Sequence, residues 1–200
     1  MFSEFLQDST DQKHATNEDG IHMEENGTKK LTEEEIKQKA KELGDILVSE
    51  KESIAKKMRT CFLLKQLGGI HAIEALNGGF ASDSSLLKHE ICYVMGQMRE
   101  KESIPFLKKV LINEDKQHAC IVRHEAAEAI AAIGIEGDNS IIELFQKYAQ
   151  DESAPVAQTC QLALDSIKWA NENKQFFLNR RIRNFETKKK KKKNKKKKLS

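Results

Sequence analysis

Two dipeptides, His89-Glu90 and His124-Glu125, stand 35 residues apart. Each joins an imidazole to a carboxylate, the nitrogen and oxygen donors that suit iron and similar divalent metals. On one helix, residues i and i+1 project about 100° apart and do not face each other. A single dipeptide therefore holds no ion. Two of them at the same height on neighbouring helices, with axes ~8–10 Å apart, can combine His from one helix with Glu from the other. Inward-reaching imidazole and carboxylate groups are the ligands of iron-carboxylate centres between helices. The same residues also suit a solvated polar face, so the choice turns on what positions and surrounds them.

The elements that would position them are helices. Thr32-Glu33-Glu34-Glu35 is a capping box, and Ile36, Ala40, Leu43 and Leu47 follow at helical spacing. Gly68-Gly69, Gly78-Gly79 and Gly134 punctuate the chain, Ser82-Asp83-Ser84 offers N-caps, and Pro105 and Pro155 suit first turns. No stretch alternates with period two. The pattern predicts an all-α chain of four hairpins: 33–49 with 52–67, 69–80 with 84–98, 103–113 with 119–134, and 138–150 with 154–172.

The second helices align in register. Met58-Arg59, His89-Glu90, His124-Glu125 and Gln158-Thr159 become equivalent, at spacings of 31, 35 and 34 residues. Six residues on stand Leu64, Met95, Ile130 and Leu164, and nine on stand Leu67, Met98, Ile133 and Ile167. A recurrent apolar face of this kind is buried by stacking, which gives a helical-hairpin repeat solenoid over residues 31–172. Only the two middle repeats carry ligand-capable pairs, since Met58-Arg59 and Gln158-Thr159 coordinate poorly. That confinement favours a site over a uniform solvated face.

Composition bounds the remainder. Residues 1–30 are polar, and 188–198 hold ten lysines and one asparagine, so a disordered leader (1–30) and a basic linker with a lysine-rich tail (173–200) are expected. Setting the ten lysines aside leaves 24 basic against 31 acidic side chains, a net of −7, on an acidic body. No apolar run reaches membrane-spanning length, and the first residues lack a secretory pattern. Cys61, Cys92, Cys120 and Cys160 form no C-x-x-C pair and read as small buried residues in a reducing compartment. Cytoplasmic location is expected, or nuclear if the lysine run is a signal. That run has no interleaved aromatics, so specific nucleic-acid readout is not expected. His71 and His118 read as exposed or capping residues. His14 and His22 fall in the leader.

The segments Leu87-Lys88-His89-Glu90-Ile91-Cys92-Tyr93-Val94-Met95-Gly96-Gln97-Met98 and Val122-Arg123-His124-Glu125-Ala126-Ala127-Glu128-Ala129-Ile130 resemble the deoxyhypusine hydroxylase family. Leu67-Gly68-Gly69 and Thr159-Cys160-Gln161-Leu162-Ala163 extend the resemblance to about 140 residues. It implies a HEAT-like repeat fold and a di-iron monooxygenase using dioxygen. The implied reaction hydroxylates the aminobutyl arm of deoxyhypusine to hypusine, on a translation initiation factor precursor. By the same resemblance His89, Glu90, His124 and Glu125 are iron ligands. An acidic body carrying Glu90, Glu125 and Glu128 would attract such a polyamine arm. Family members hold two irons between two halves with four His-Glu pairs, whereas this chain matches the N-terminal half alone. A truncated product, or a chain interrupted at a low-complexity insertion, is the expectation. A homodimer or a separate second half could complete the ligand set. The alternative is a non-catalytic HEAT-repeat binding scaffold with an incomplete site. Trp169 with Phe176-Phe177 would either cover the last repeat or mark where a second half docks.

Overall fold

The computed structural model describes residues 31–134 and 138–173. Eight α-helices occur there: α1 (Glu33–Val48), α2 (Ile54–Leu67), α3 (Gly69–Gly78), α4 (Ser85–Met98), α5 (Ile104–Ile112), α6 (Cys120–Ile133), α7 (Asn139–Tyr148) and α8 (154–173). Single 3₁₀ turns, Gly79–Ala81 and Lys101–Ser103, join α3 to α4 and lead into α5. No strand, and no helix long and apolar enough to cross a membrane, occurs among the described residues. The leader, Phe176-Phe177 and the lysine run lie outside them.

Short polar side chains start the helices. Thr32 and Glu35 close the capping box reciprocally, Thr32 Oγ1 accepting from Glu35 N at 3.3 Å and Thr32 N donating to Glu35 Oε2 at 2.7 Å. Ser53, Ser84 and Asp138 cap α2, α4 and α7. Gly68 and Gly69 both have positive φ, 69° and 74°, where α2 turns directly into α3. Two consecutive left-handed positions are cheap only for glycine, and the Gly69 N–H is bound by Glu100 Oε1 at 2.9 Å, across from the next repeat.

The helices pair into four hairpins, and the hairpins stack. Helices α2, α4 and α6 pack in sequence as one layer, with α1 on α3 behind them. The six-residue register resolves as predicted: Leu64, Met95 and Ile130 are fully buried, and Leu164 packs partly buried against the same core. At the nine-residue register, Leu67, Met98, Ile133 and Ile167 form its half-buried edge.

A close helix contact and two polar ties hold the stacked repeats together. Gly96 faces Ala129 so closely that a Cβ on Gly96 would lie 2.9 Å from the Ala129 Cα. The residues one before the histidines are ties to the following repeat. Lys88 is buried and donates to the Gln117 carbonyl at 3.0 Å. Arg123 reaches Asp151 with two nitrogens, at 3.1 and 2.5 Å, and the Leu111 carbonyl at 3.0 Å. This fork holds the Asp151 carboxyl below the usual carboxylate range.

Three expectations need correction. Cys61, Cys92 and Cys160 are buried, but Cys120 is exposed, because it opens α6 at the first turn where no neighbouring repeat covers it. His118 is no exposed cap: its ring meets Phe80 edge-on at 6.0 Å, and its backbone is clamped by the Asn113 amide. His71 is three-quarters covered and bonds Glu33 Oε1 at 3.1 Å, tying α3 to α1.

Candidate metal centre

Equivalent positions on stacked helices place the two dipeptides side by side. His89 Nε2 on α4 lies 3.2 Å from Glu125 Oε2 on α6, so imidazole and carboxylate do meet across helices. His124 Nε2 approaches the same oxygen at 3.9 Å and Glu128 Oε2 at 3.9 Å. The ligand atoms of His124, Glu125 and Glu128 all lie within 4.8 Å of one another, the one such group of three among the described residues. Glu128 is four residues after His124 and shares its helix face.

The four residues singled out from the sequence are therefore not equally placed. His89, His124 and Glu125 converge. Glu90 is half-buried, with no hydrogen bond or ion pair at the cluster, and acts on it through charge. Glu128, noted in the sequence only as an attractant for a cation, joins the compact donor group. Its spacing from His124 was the available signal.

The electrostatics explain what such a cluster wants. Glu125 is 7% exposed, and its ion pairs are both with imidazoles; no lysine or arginine pairs with it among the described residues. Burial first, then the Glu128 and Glu90 charges, push its carboxyl up to about 7. Burial also lowers the pKa of His89, with the neighbouring His124 contributing in the same direction against Glu90 and Glu128. The cluster thus gathers three carboxyl groups and two imidazoles, one of which, His89, is held against protonation, with no lysine or arginine ion-paired to Glu125 among the described residues. A bound divalent cation would offset the carboxylate charge and accept the imidazole lone pairs. The donor set fits iron.

A residue dismissed at the sequence level completes the setting. His124 Nδ1 lies 2.6 Å from the Thr159 hydroxyl, on α8. Thr159 holds in its repeat the position that Glu90 and Glu125 hold in theirs, so the alignment itself marked it.

No family model matches the sequence. The chain is 42% identical over 127 residues to deoxyhypusine hydroxylase of Danio rerio, covering 64% of this chain and 40% of that protein. It is 39% identical over 143 residues to the Gallus gallus deoxyhypusine hydroxylase, covering 72% of this chain and 45% of the other. Human deoxyhypusine hydroxylase, solved in complex with glycerol, superposes with a TM-score of 0.62 at 38% identity, over 69% of this chain and 46% of that one. The resemblance to deoxyhypusine hydroxylases is thus shown in both sequence and fold, and the chain spans less than half the length of these relatives.

Proposed function

We propose that this helical stack is half of the iron site of a deoxyhypusine monooxygenase, acting on a translation initiation factor precursor to convert deoxyhypusine to hypusine. The carrying observation is the cross-helix pair His89 Nε2–Glu125 Oε2 at 3.2 Å, around a buried carboxylate that no lysine or arginine pairs with among the described residues. It occurs in a chain about 40% identical to proteins named for this reaction. His89 and His124 would supply neutral imidazole nitrogens, with Glu125, Glu90 and Glu128 supplying oxygens. Iron, two atoms in a complete site, would supply dioxygen activation. The chain's own residues fix donor spacing through the α4–α6 contact. The half-exposed Glu128 side chain extends the site's negative charge toward solvent, where an approaching alkylammonium arm is attracted.

Because the chain spans less than half of its relatives' length, the remaining donors would come from a second copy related by a two-fold axis, or from a separate second half. The second reading, a non-catalytic repeat scaffold, is favoured by one observation: Glu90 makes no contact with the compact donor group, which leaves that group at His124, Glu125 and Glu128. Size-exclusion chromatography with iron analysis and a hydroxylation assay on each fraction separates them. Iron and turnover are expected in a dimer or after adding a second half, and not in the monomer. Full turnover by a strictly monomeric fraction refutes the half-site argument. Iron-free, inactive fractions of every size establish the scaffold.

A further inference from the structure

The two central histidines each touch the same register of the following repeat, but they touch it differently. His89 meets Glu125 through Nε2 at 3.2 Å, whereas His124 meets Thr159 through Nδ1 at 2.6 Å. Thr159 Oγ1 also lies 2.8 Å from the Pro155 carbonyl, one turn earlier on α8. A hydroxyl carries one hydrogen and a carbonyl carries none, so the Thr159 proton goes to Pro155 O. The Thr159 oxygen is then left as an acceptor, and His124 Nδ1 must be the donor. If Nδ1 were instead unprotonated, the threonine could satisfy only one of two acceptors placed within 3 Å of it. With the proton on Nδ1, Nε2 keeps its lone pair, and it is Nε2 that points toward Glu125 and Glu128.

We infer that Thr159 is a positioning residue that fixes the Nδ1–H tautomer and ring orientation of His124 and so presents Nε2 to the metal. The inference deepens the reading of this cluster as a metal centre and rests on it. A metal-bound histidine commonly donates its other N–H to an oxygen acceptor, which sets the tautomer and raises ligand basicity. Here that acceptor comes from the last described repeat, whose own dipeptide Gln158-Thr159 lacks a good ligand. The flanking repeat therefore contributes to the site by orientation, and its hydroxyl is oriented in turn by its bond to the Pro155 carbonyl one turn earlier on α8.

The test compares Thr159→Val, which keeps the shape and removes the hydroxyl, with Thr159→Ser, which keeps the hydroxyl. The first readout is the tautomer of His124 in the metal-free full chain, from long-range nitrogen-15 correlations at about pH 8, above the ordinary histidine pKa of ~6.5. Wild type and Thr159→Ser should show protonated Nδ1 and a free Nε2 lone pair, and Thr159→Val should lose that preference. The second readout is cobalt(II) added alone and followed by its absorption. Thr159→Val should bind roughly 10–100-fold more weakly than wild type, and Thr159→Ser within a few-fold of it. A wild-type His124 protonated on Nε2 overturns the inference, as does a valine variant with wild-type tautomer or wild-type cobalt affinity. Absence of cobalt binding in all three chains, with the tautomers as expected, overturns the metal reading while supporting the Thr159–His124 bond.

Discussion

The central and flanking repeats share one backbone plan and part ways most tellingly at one register of their inner helices. In the centre that register carries His89-Glu90 and His124-Glu125, at the flanks Met58-Arg59 and Gln158-Thr159. The surroundings are alike: two residues on, Thr60, Ile91, Ala126 and Cys160 are all buried. The core is thus built by positions the repeats have in common, and the chemistry by positions where they differ. In the centre this produces a buried carboxyl whose pKa is pushed up to about 7 and an imidazole, His89, whose pKa burial lowers. A buried carboxylate whose only ion-pair partners among the described residues are imidazoles costs stability, so its presence in the central repeats argues for a ligand that offsets the cost.

The largest expected effect comes from removing donors in the centre. His89→Ala or Glu125→Ala should abolish most of the co-purified iron, while the helical circular dichroism stays at wild-type strength. The side chain of His89 is 30% exposed, and Glu125 packs against donors and not within the apolar core. The same truncation at the flank, Met58→Ala, should leave iron unchanged and cost stability instead, because Met58 packs on the core. Variants of His89 or Glu125 that unfold yet bind iron as before would reverse the comparison.

A smaller effect separates two helix contacts. Gly96→Ala places a methyl 2.9 Å from the Ala129 Cα and 3.0 Å from its Cβ, so α4 and α6 must move apart. Overpacking of this kind should cost about 1–2 kcal/mol after the helix-propensity gain, and it shifts His89 relative to Glu125. Gly44→Ala, on α1, meets the Ala75 Cβ at 3.2 Å and its Cα at an ordinary 3.5 Å. There the same methyl should change stability by less than about 0.5 kcal/mol, because the propensity gain offsets the tight contact. Equal melting temperatures for the two variants would mean that the α4–α6 spacing is not held by Gly96.

Most of the fold was legible because repetition amplifies weak signals. A single apolar residue says little, but Leu64, Met95 and Ile130 at one register specify a buried stripe, and caps such as Thr32 and Ser84 fix helix starts through local hydrogen bonds. The convergence of His89 with Glu125 was legible for the same reason, since stacking makes equal register mean equal height. What escaped depends on side-chain direction or on loops. His118 is drawn inward by Phe80 of the preceding repeat, Glu128 enters the donor group by sharing a face with His124, and Thr159 acts by accepting a hydrogen bond. Looking for residues able to ligate discards those that orient a ligand.

The smallest expected effect concerns the stability of the metal-free chain. Glu125 has a folded-state pKa of about 7 against an ordinary 4.5, so the native state binds its proton more tightly than the unfolded state does. Its contribution to stability is therefore present below about 4.5 and is lost as pH rises through about 7. Glu125→Gln keeps the shape and removes the charge. At about pH 8 it should stabilise the metal-free chain by about 1 kcal/mol, well below the full value of the shift, because the half-exposed Glu128 and His89 let solvent screen the site. At about pH 4 the gain should nearly vanish, since the carboxyl is then largely protonated in both the native and the unfolded state. No equivalent pH-dependent gain is expected from a charge-removing change at the flank such as Arg59→Gln, because Arg59 is exposed. Denaturation of both variants at the two pH values checks this. A Glu125→Gln gain that is larger at low pH than at high pH would mean that the carboxylate is stabilised in the native chain, and the central register would then be balanced without a metal.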